Sequence, residues 1–282
     1  MKLFLSCCLT LVLILAGSPS QALDELTLYD NFRGTFVEFF KGKPIDPNRW
    51  EPTGSAERDS LDLVREVRWN SLHMLNRIYA GKSTSVRVEF PDPNAVTAIM
   101  IKGRVKDLEL IECAGNDRVR ALRASGFFFN TLLPPPPGVP PPPGAIGDVL
   151  ASIHVERRGD SGDPAGVLRV KANVFLCNAD PDCNNGTYLF DQDLGEYQVG
   201  ELIRLAIQLD EVNEEFIFQR DSEPEVIYSY SGDVSNNGPA HLPQKRLGIS
   251  SRVSGICAGD PGPVAFVETL IHKVFVNESA AP

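Results

Sequence analysis

Three stretches of this chain alternate apolar and polar residues with a period of two, and that pattern limits the fold more than any other feature. Val149, Ala151, Ile153 and Val155 are interleaved with Leu150, Ser152, His154 and Glu156. Leu168, Val170, Ala172 and Val174 are interleaved with Arg169, Lys171, Asn173 and Phe175, and Ile203, Leu205, Ile207 and Leu209 with Arg204, Ala206, Gln208 and Asp210. Successive side chains of a strand point to opposite faces, so each stretch predicts a strand with one buried face. Further strands are predicted over 26–32, 64–69, 72–79, 85–90, 96–105, 119–129, 215–220, 226–230, 247–253 and 264–276. A stripe at helical spacing is absent from every segment of ordinary helix length, although 56–65 could supply a short helix. More than a dozen strands without alternating helices predict an all-β protein, an antiparallel β-sandwich.

Residues 1–22 read as a signal peptide: Lys2, the apolar run Leu3 to Ala16, then Ser20 and Ala22 as the small residues of a cleavage site. The run is shorter than the roughly 20 helical residues that cross a bilayer, so no membrane span is expected. The remainder, 23–282, is read as a single β-sandwich domain exported to the periplasm or the extracellular space. It carries a proline-rich loop at 132–147, with Pro134 to Pro137 and Pro140 to Pro143. Proline fixes φ and lacks an N–H, which keeps that loop out of any sheet. Against 37 acidic residues the chain sets 27 basic ones, a formal charge of −10 that argues against a nucleic-acid partner. Export leaves Cys113, Cys177, Cys183 and Cys257, an even set that predicts two disulfides. Cys177 and Cys183 enclose a short polar loop and are expected to pair, leaving Cys113 for Cys257. The competing zinc site lacks paired Cys-x-x-Cys motifs.

With the strands placed, Leu28-Tyr29-Asp30-Asn31-Phe32 followed by Asp46-Pro47-Asn48-Arg49-Trp50 resembles the opening of concanavalin A-like lectin/glucanase jelly rolls. In these an initial Asp-Phe strand leads to an Asp-x-x-x-Trp turn. Strands at 205–210 and 216–218 look like the paired strands of that superfold, whose last long strand returns beside the first. The resemblance implies a jelly roll, and a fold alone does not imply an activity. Its glucan-hydrolysing members carry Glu-x-Asp-x-x-Glu, since a retaining mechanism needs two carboxyls about 5 Å apart. The segment Asp107-Leu108-Glu109-Leu110-Ile111-Glu112 is similar, with the first two acids interchanged. The resemblance would make Asp107 the nucleophile, Glu109 its electrostatic partner and Glu112 the acid/base. The alternative is an acidic surface strand.

If the three strongest strands share a sheet, His154, Glu156, Arg169, Lys171, Asn173, Arg204 and Gln208 project from one face. They could bind the hydroxyls of a sugar or the carboxylates of an acidic glycan. The alternative is the hydrated outer face of an antiparallel sheet. Asp180, Asp182 and Asn184 offer alternating oxygen ligands that calcium would favour, against a plain acidic turn. No other cofactor is expected. Gly159-Asp160-Ser161-Gly162 matches a protease nucleophile tetrapeptide without its upstream partners, and Arg158-Gly159-Asp160 spells an adhesion tripeptide. The expected function is a secreted, non-catalytic protein that binds a glycan or a cell-surface partner. A β-glucan hydrolase using the acids at 107–112 and a structural or adhesive extracellular protein are the alternatives.

Overall fold

The alternating segments pair as antiparallel strands in two sheets of a computed structural model, which describes residues 26–54, 60–79, 81–110, 117–253 and 265–281. In chain order the strands are β1 (Thr27–Asp30), β2 (Glu51–Gly54), β3 (Asp62–Arg68), β4 (Ser71–Ile78), β5 (Lys82–Glu89), β6 (Ala98–Leu110), β7 (Arg118–Asn130) and β8 (Asp148–Arg158). They continue as β9 (Val167–Leu176), β10 (Thr187–Gln198), β11 (Ile203–Asp210), β12 (Glu215–Arg220), β13 (Val226–Ser229), β14 (Lys245–Val253) and β15 (Ala265–Val276). The first sheet runs β13-β12-β11-β6-β15-β4-β3, with β1 also on β15, and the second runs β10-β9-β8-β7-β14-β5-β2. One half of β15 pairs with β4 through Ala265 to Ile271, and its end pairs with β1 through Val274 to Val276. The last strand thus lies beside the first, and β11 pairs with β12.

Between the sheets lies one apolar core. Ile99, Ile101 and Val105 of β6 and Val267, Ile271 and Val274 of β15 meet Ile153, Val155, Val170 and Val174 of β8 and β9. Each such side chain contributes about 1.5–3 kcal/mol by leaving water. The opening motif closes one end of this core. Trp50, fully buried, donates its indole N–H to Asp30 Oδ2 at 2.8 Å, while Asp30 Oδ1 accepts the Phe32 N–H at 2.7 Å. Trp50 packs against Tyr29 and Phe90 with ring centroids 5.1 and 4.8 Å apart.

Two local expectations differ from the structure. The short helix is α1 (Phe36–Lys41) rather than a segment of 56–65. Residues 55–59 lie outside the described residues, and Asp62 to Arg65 belong to β3. Thr35 and Glu38 close a capping box that starts α1: Thr35 Oγ1 accepts the Glu38 N–H, and Glu38 Oε2 accepts the Thr35 N–H at 2.7 Å. Strand β10 carries no readable alternation, because it is an edge strand, largely exposed along its length. The proline-rich loop is tied at its base, where the Thr131 N–H donates to Gly147 O and the Ala145 N–H to Pro181 O, both at 2.8 Å.

Replacing Asp30 with Ala leaves the buried Trp50 N–H without an acceptor and should cost about 2 kcal/mol. Asp30→Asn, which keeps a carbonyl oxygen, should cost less. Urea denaturation of the two variants beside the wild type measures both.

Candidate functional site

Alternation in β7, β8 and β9 sends apolar residues into the core and polar ones to the outer face of the second sheet. Register aligns those polar residues in rows across the strands. Ser125 of β7 faces Ser152 of β8, which faces Asn173 of β9. One row on, His154 faces Lys171, and in the next Arg120 faces Glu156, which faces Arg169. The rows are knit by hydrogen bonds: Ser152 Oγ donates to Asn173 Oδ1 at 2.6 Å, and Arg120 Nε to Glu156 Oε2 at 2.8 Å. Lys171 Nζ lies 3.2 Å from Asp191 Oδ1 on β10, and Arg169 is bound by Asp163 from the β8–β9 hairpin. Ser152 and His154 are 0% exposed although they face away from the core, so neighbouring side chains cover them, and beside them Glu156, Arg169, Lys171 and Asp193 line a recess of about 210 Å³. At one end it turns apolar, where Phe127 and Leu150 are buried beneath the loops and Phe175 meets the exposed Tyr188 ring at 4.9 Å.

This arrangement joins five of the seven residues expected to share a face. Arg204 and Gln208 do not belong with them, because β11 lies in the first sheet between β6 and β12. There Arg204 Nε donates to Asp221 O at 2.9 Å. Alternation reports which side of a strand is polar but not which sheet the strand joins.

Sequence reading also passed over the arginines of the neighbouring strands. β7 carries a bulge: Val119 and Ala121 point inward, Leu122 also points inward with φ +46°, and the register shifts between Ala121 and Ala124. Even-numbered residues face out before the bulge and odd-numbered ones from Arg123 to Phe127 after it, until a second register shift turns Phe129 into the core. Arg118, Arg120 and Arg123 therefore all reach the outer face. They have the spacing of the Glu-x-Asp-x-x-Glu motif, with a base at every acidic position. Arg246 and Arg252 of β14 and Arg87 of β5 join them. A run of three arginines at spacings of two and three, read with a bulge, is the signal that could have found them.

The acids of the glucanase-like segment stand elsewhere. Asp107 and Glu109 are exposed on β6 in the first sheet, and Asp107 Oδ1 accepts the N–H of its neighbour Leu108 at 2.9 Å. Glu112, Cys113 and Cys257 lie outside the described residues. Cys177 and Cys183 form a disulfide with their Cα atoms 5.0 Å apart. Inside that loop Asp180 accepts backbone N–H groups from Asp182, Asn184 and Asn185, which satisfies both its oxygens and holds its carboxyl below the usual range, the Asn184 N–H having the largest effect. Among the described residues no three His, Cys, Asp or Glu side chains are grouped to hold a metal ion. In the Arg158-Gly159-Asp160 turn Arg158 pairs with Asp160 of the same tripeptide at 3.0 Å, and Ser161 Oγ accepts the Asp163 N–H.

Burial, reinforced by the Arg120 charge, lowers the His154 pKa from 6.5 to about 3, so the imidazole is neutral at pH 7. Burial pushes the Glu156 carboxyl up, but His154 and Arg120 more than reverse this and hold it well below the usual carboxylate range. Below pH 6.5 the unfolded chain takes up a proton that folded His154 refuses. Stability from this group is therefore complete above 6.5 and falls as the pH drops toward 3. The slope is up to about 1.4 kcal/mol per pH unit. Between pH 7 and pH 5 the wild type should lose about 2 kcal/mol through His154 that His154→Gln does not lose. Urea denaturation of both proteins at the two pH values measures the difference.

No family model matches the chain, and no curated protein matches it. Solved structures do. One, from work on endo-acting O-glycanases that prominent members of the human gut microbiota express to initiate mucin breakdown, is 16% identical with a TM-score of 0.51, over 89% of this chain and 99% of that one. The catalytic domain of an endo-1,3-β-glucanase (laminarinase) from Thermotoga petrophila is 12% identical with a TM-score of 0.45, over 90% and 98% of the two chains. The exoplasmic/lumenal domain of VIP36 in its Ca2+/Man2-bound form is 11% identical with a TM-score of 0.41, over 90% of each chain. At these identities the likeness is one of fold. Two face-packed antiparallel sheets, with the last strand beside the first, are the concanavalin A-like jelly roll, and that is the fold of this chain.

Proposed function

We propose that this protein is a secreted, non-catalytic glycan-binding protein that holds its ligand on the outer face of the second sheet. The observation that carries this reading is the polar floor formed by Ser152, His154, Glu156, Lys171 and Asn173, bounded at one end by the Phe175 and Tyr188 rings. Sugars are bound by this combination, with hydroxyls on fixed polar groups and ring faces on aromatics. Ser125 Oγ is buried there with no hydrogen-bond partner, and His154 Nε2 has only the Glu156 carboxylate 3.7 Å away, leaving polar capacity that a ligand would satisfy. Likeness to a structure from the O-glycanase work supports carbohydrate as the ligand class.

The chemistry of the face supports a non-catalytic reading. A glycosidase acid needs a raised pKa so that it carries a proton at neutral pH. Glu156 is held as a carboxylate beside Arg120, which suits it to accepting hydrogen bonds and not to donating a proton. Asp107 and Glu109 stand on the first sheet, away from this face. Export is supported by the signal-like residues 1–22 and by the Cys177–Cys183 disulfide, which belongs to an oxidising compartment. Among the described residues no helix is long and apolar enough to cross a membrane.

A glycan array probed with residues 23–282 tests the proposal. Binding to at least one glycan class is expected, weakened at least tenfold by Asn173→Ala or Lys171→Ala, about 1.4 kcal/mol or more. Asp107→Asn, Glu109→Gln and Glu112→Gln should leave that binding unchanged. Hydrolysis of a β-glucan by the wild type that disappears in Glu112→Gln would establish the hydrolase reading instead.

A further inference from the structure

The three adjacent strands β5, β14 and β7 concentrate positive charge within an acidic protein. They carry six arginines, two lysines and one acid, Glu89, in a chain whose formal charge is −10. All six arginines face outward, onto the same face as His154 and Asn173. At the centre Gly248 of β14 lies between Arg87 of β5 and Arg123 of β7 in register, so two guanidinium groups flank a position with no side chain. Arg246 and Ser125, directly opposite each other one row away, complete with Arg87, Arg123 and Gly248 a shallow pocket of about 10 Å³, room for one water-sized atom, and Arg87 and Arg123 are partly exposed beside it.

We propose that this arginine cluster binds the oxyanion group, a sulfate ester or a carboxylate, of an anionic polysaccharide, with one oxygen entering the pocket, Arg87, Arg123 and Arg246 as the cationic ligands and Ser125 as a hydroxyl donor. The proposal rests on the reading of this face as glycan-binding and names the ligand's chemical class.

Unused bonding capacity marks the pocket as a site. Arg123 Nε and Ser125 Oγ are both buried without a hydrogen-bond partner. Arg120, which is paired with Glu156, shows what a structural arginine on this face looks like. Arg246 is positioned by Gln244 Oε1, which accepts from its Nη1 at 3.0 Å, and by the Phe127 ring 5.7 Å from its guanidinium carbon. Glu89 already accepts the Thr53 hydroxyl at 2.8 Å. Burial and the neighbouring Arg246 charge push the Arg123 pKa well below its usual value, and burial and Arg87 bring that of Arg246 down to about 9. Guanidinium groups keep their charge in proteins, so these cations repel one another, offset in part by Glu89, a condition that a bound anion relieves. A guanidinium presents parallel N–H groups that match two oxygens of a sulfate or carboxylate.

A polymer fits better than an isolated anion. From Gly248 at the centre of the pocket the polar rows continue over β7 and β8 to Lys171 and Asn173 on β9, about 14 Å at the usual strand spacing. Nucleic acid is disfavoured, because outside these strands the chain is strongly acidic and would repel a long polyanion.

Calorimetric titration with dextran, carboxymethyl-dextran and dextran sulfate of equal chain length, at physiological salt, separates the possibilities. At least one charged dextran should bind tenfold or more tightly than the neutral one, and the tighter of the two identifies the oxyanion. Arg123→Met should weaken that binding at least tenfold, whereas Arg33→Met, on an exposed loop, should not. Because Arg123 is unpaired among like charges, Arg123→Met should melt no lower than the wild type without ligand, and a structural arginine would give the opposite. Equal binding of all three dextrans, or no effect of Arg123→Met, overturns the pocket. If array glycans then still depend on Asn173, the glycan-binding face stands without it. If they do not, both readings fall. Single-stranded DNA binding as tightly as dextran sulfate, with the same dependence on Arg123, would overturn the assignment to a polysaccharide.

Discussion

The structure depends on burying two inner faces against each other, and β15 is the strand that makes the first of those faces continuous. It lies between β6 and β4 and takes β1 on the C-terminal stretch of its β4 edge, so the last strand of the chain completes the centre of a sheet whose other members lie throughout the sequence. Val267, Ile271 and Val274 reach the core from this strand. The arrangement has little local support. Its contacts are far apart in sequence, the topology for which chain closure opposes folding longest. The Trp50–Asp30 bond ties the end of β1 to the start of β2 and so supports the same closure from the N-terminal side.

Once the inner faces are committed to the core, strand geometry leaves the outer face of the second sheet free for function. Residues there are held as firmly as core residues, because their neighbours on either side along the strand are buried. A site on such a platform is preorganised, and its side chains are spaced by backbone register rather than by loop conformation. The bulge in β7 refines this. A single extra inward residue, Leu122, changes which numbers face outward and brings Arg123 and Ser125 onto the same surface as Arg118 and Arg120.

Net charge conceals this surface. At −10 the whole chain looks unsuited to any anion, yet opposite charges are separated in space. The central strands β5, β14 and β7 are basic, and the edge strand β10 supplies Asp191 and Asp193 at the rim of the same face. A local field depends on neighbouring charges much more than on distant ones, because water and salt screen the latter within about 8–10 Å.

The sequence by itself determined the elements whose signal is local. Alternation placed β8, β9 and β11, the Asp-Phe and Asp-x-x-x-Trp phrases pointed to the jelly roll, and the short Cys177–Cys183 spacing predicted their bond. A Thr-x-x-Glu phrase that could have announced α1 was equally local and went unread. Half of the face proposed to bind a glycan, from His154 to Asn173, was legible for the same reason. Tertiary structure alone decided which strands are neighbours. It removed Arg204 and Gln208 from the face by putting β11 in the other sheet, and it brought Arg87, Arg123 and Arg246 together from strands separated by as much as half the chain. The physical reason is that the period of a strand is set by its own backbone, whereas its partners are chosen by which apolar faces bury each other best.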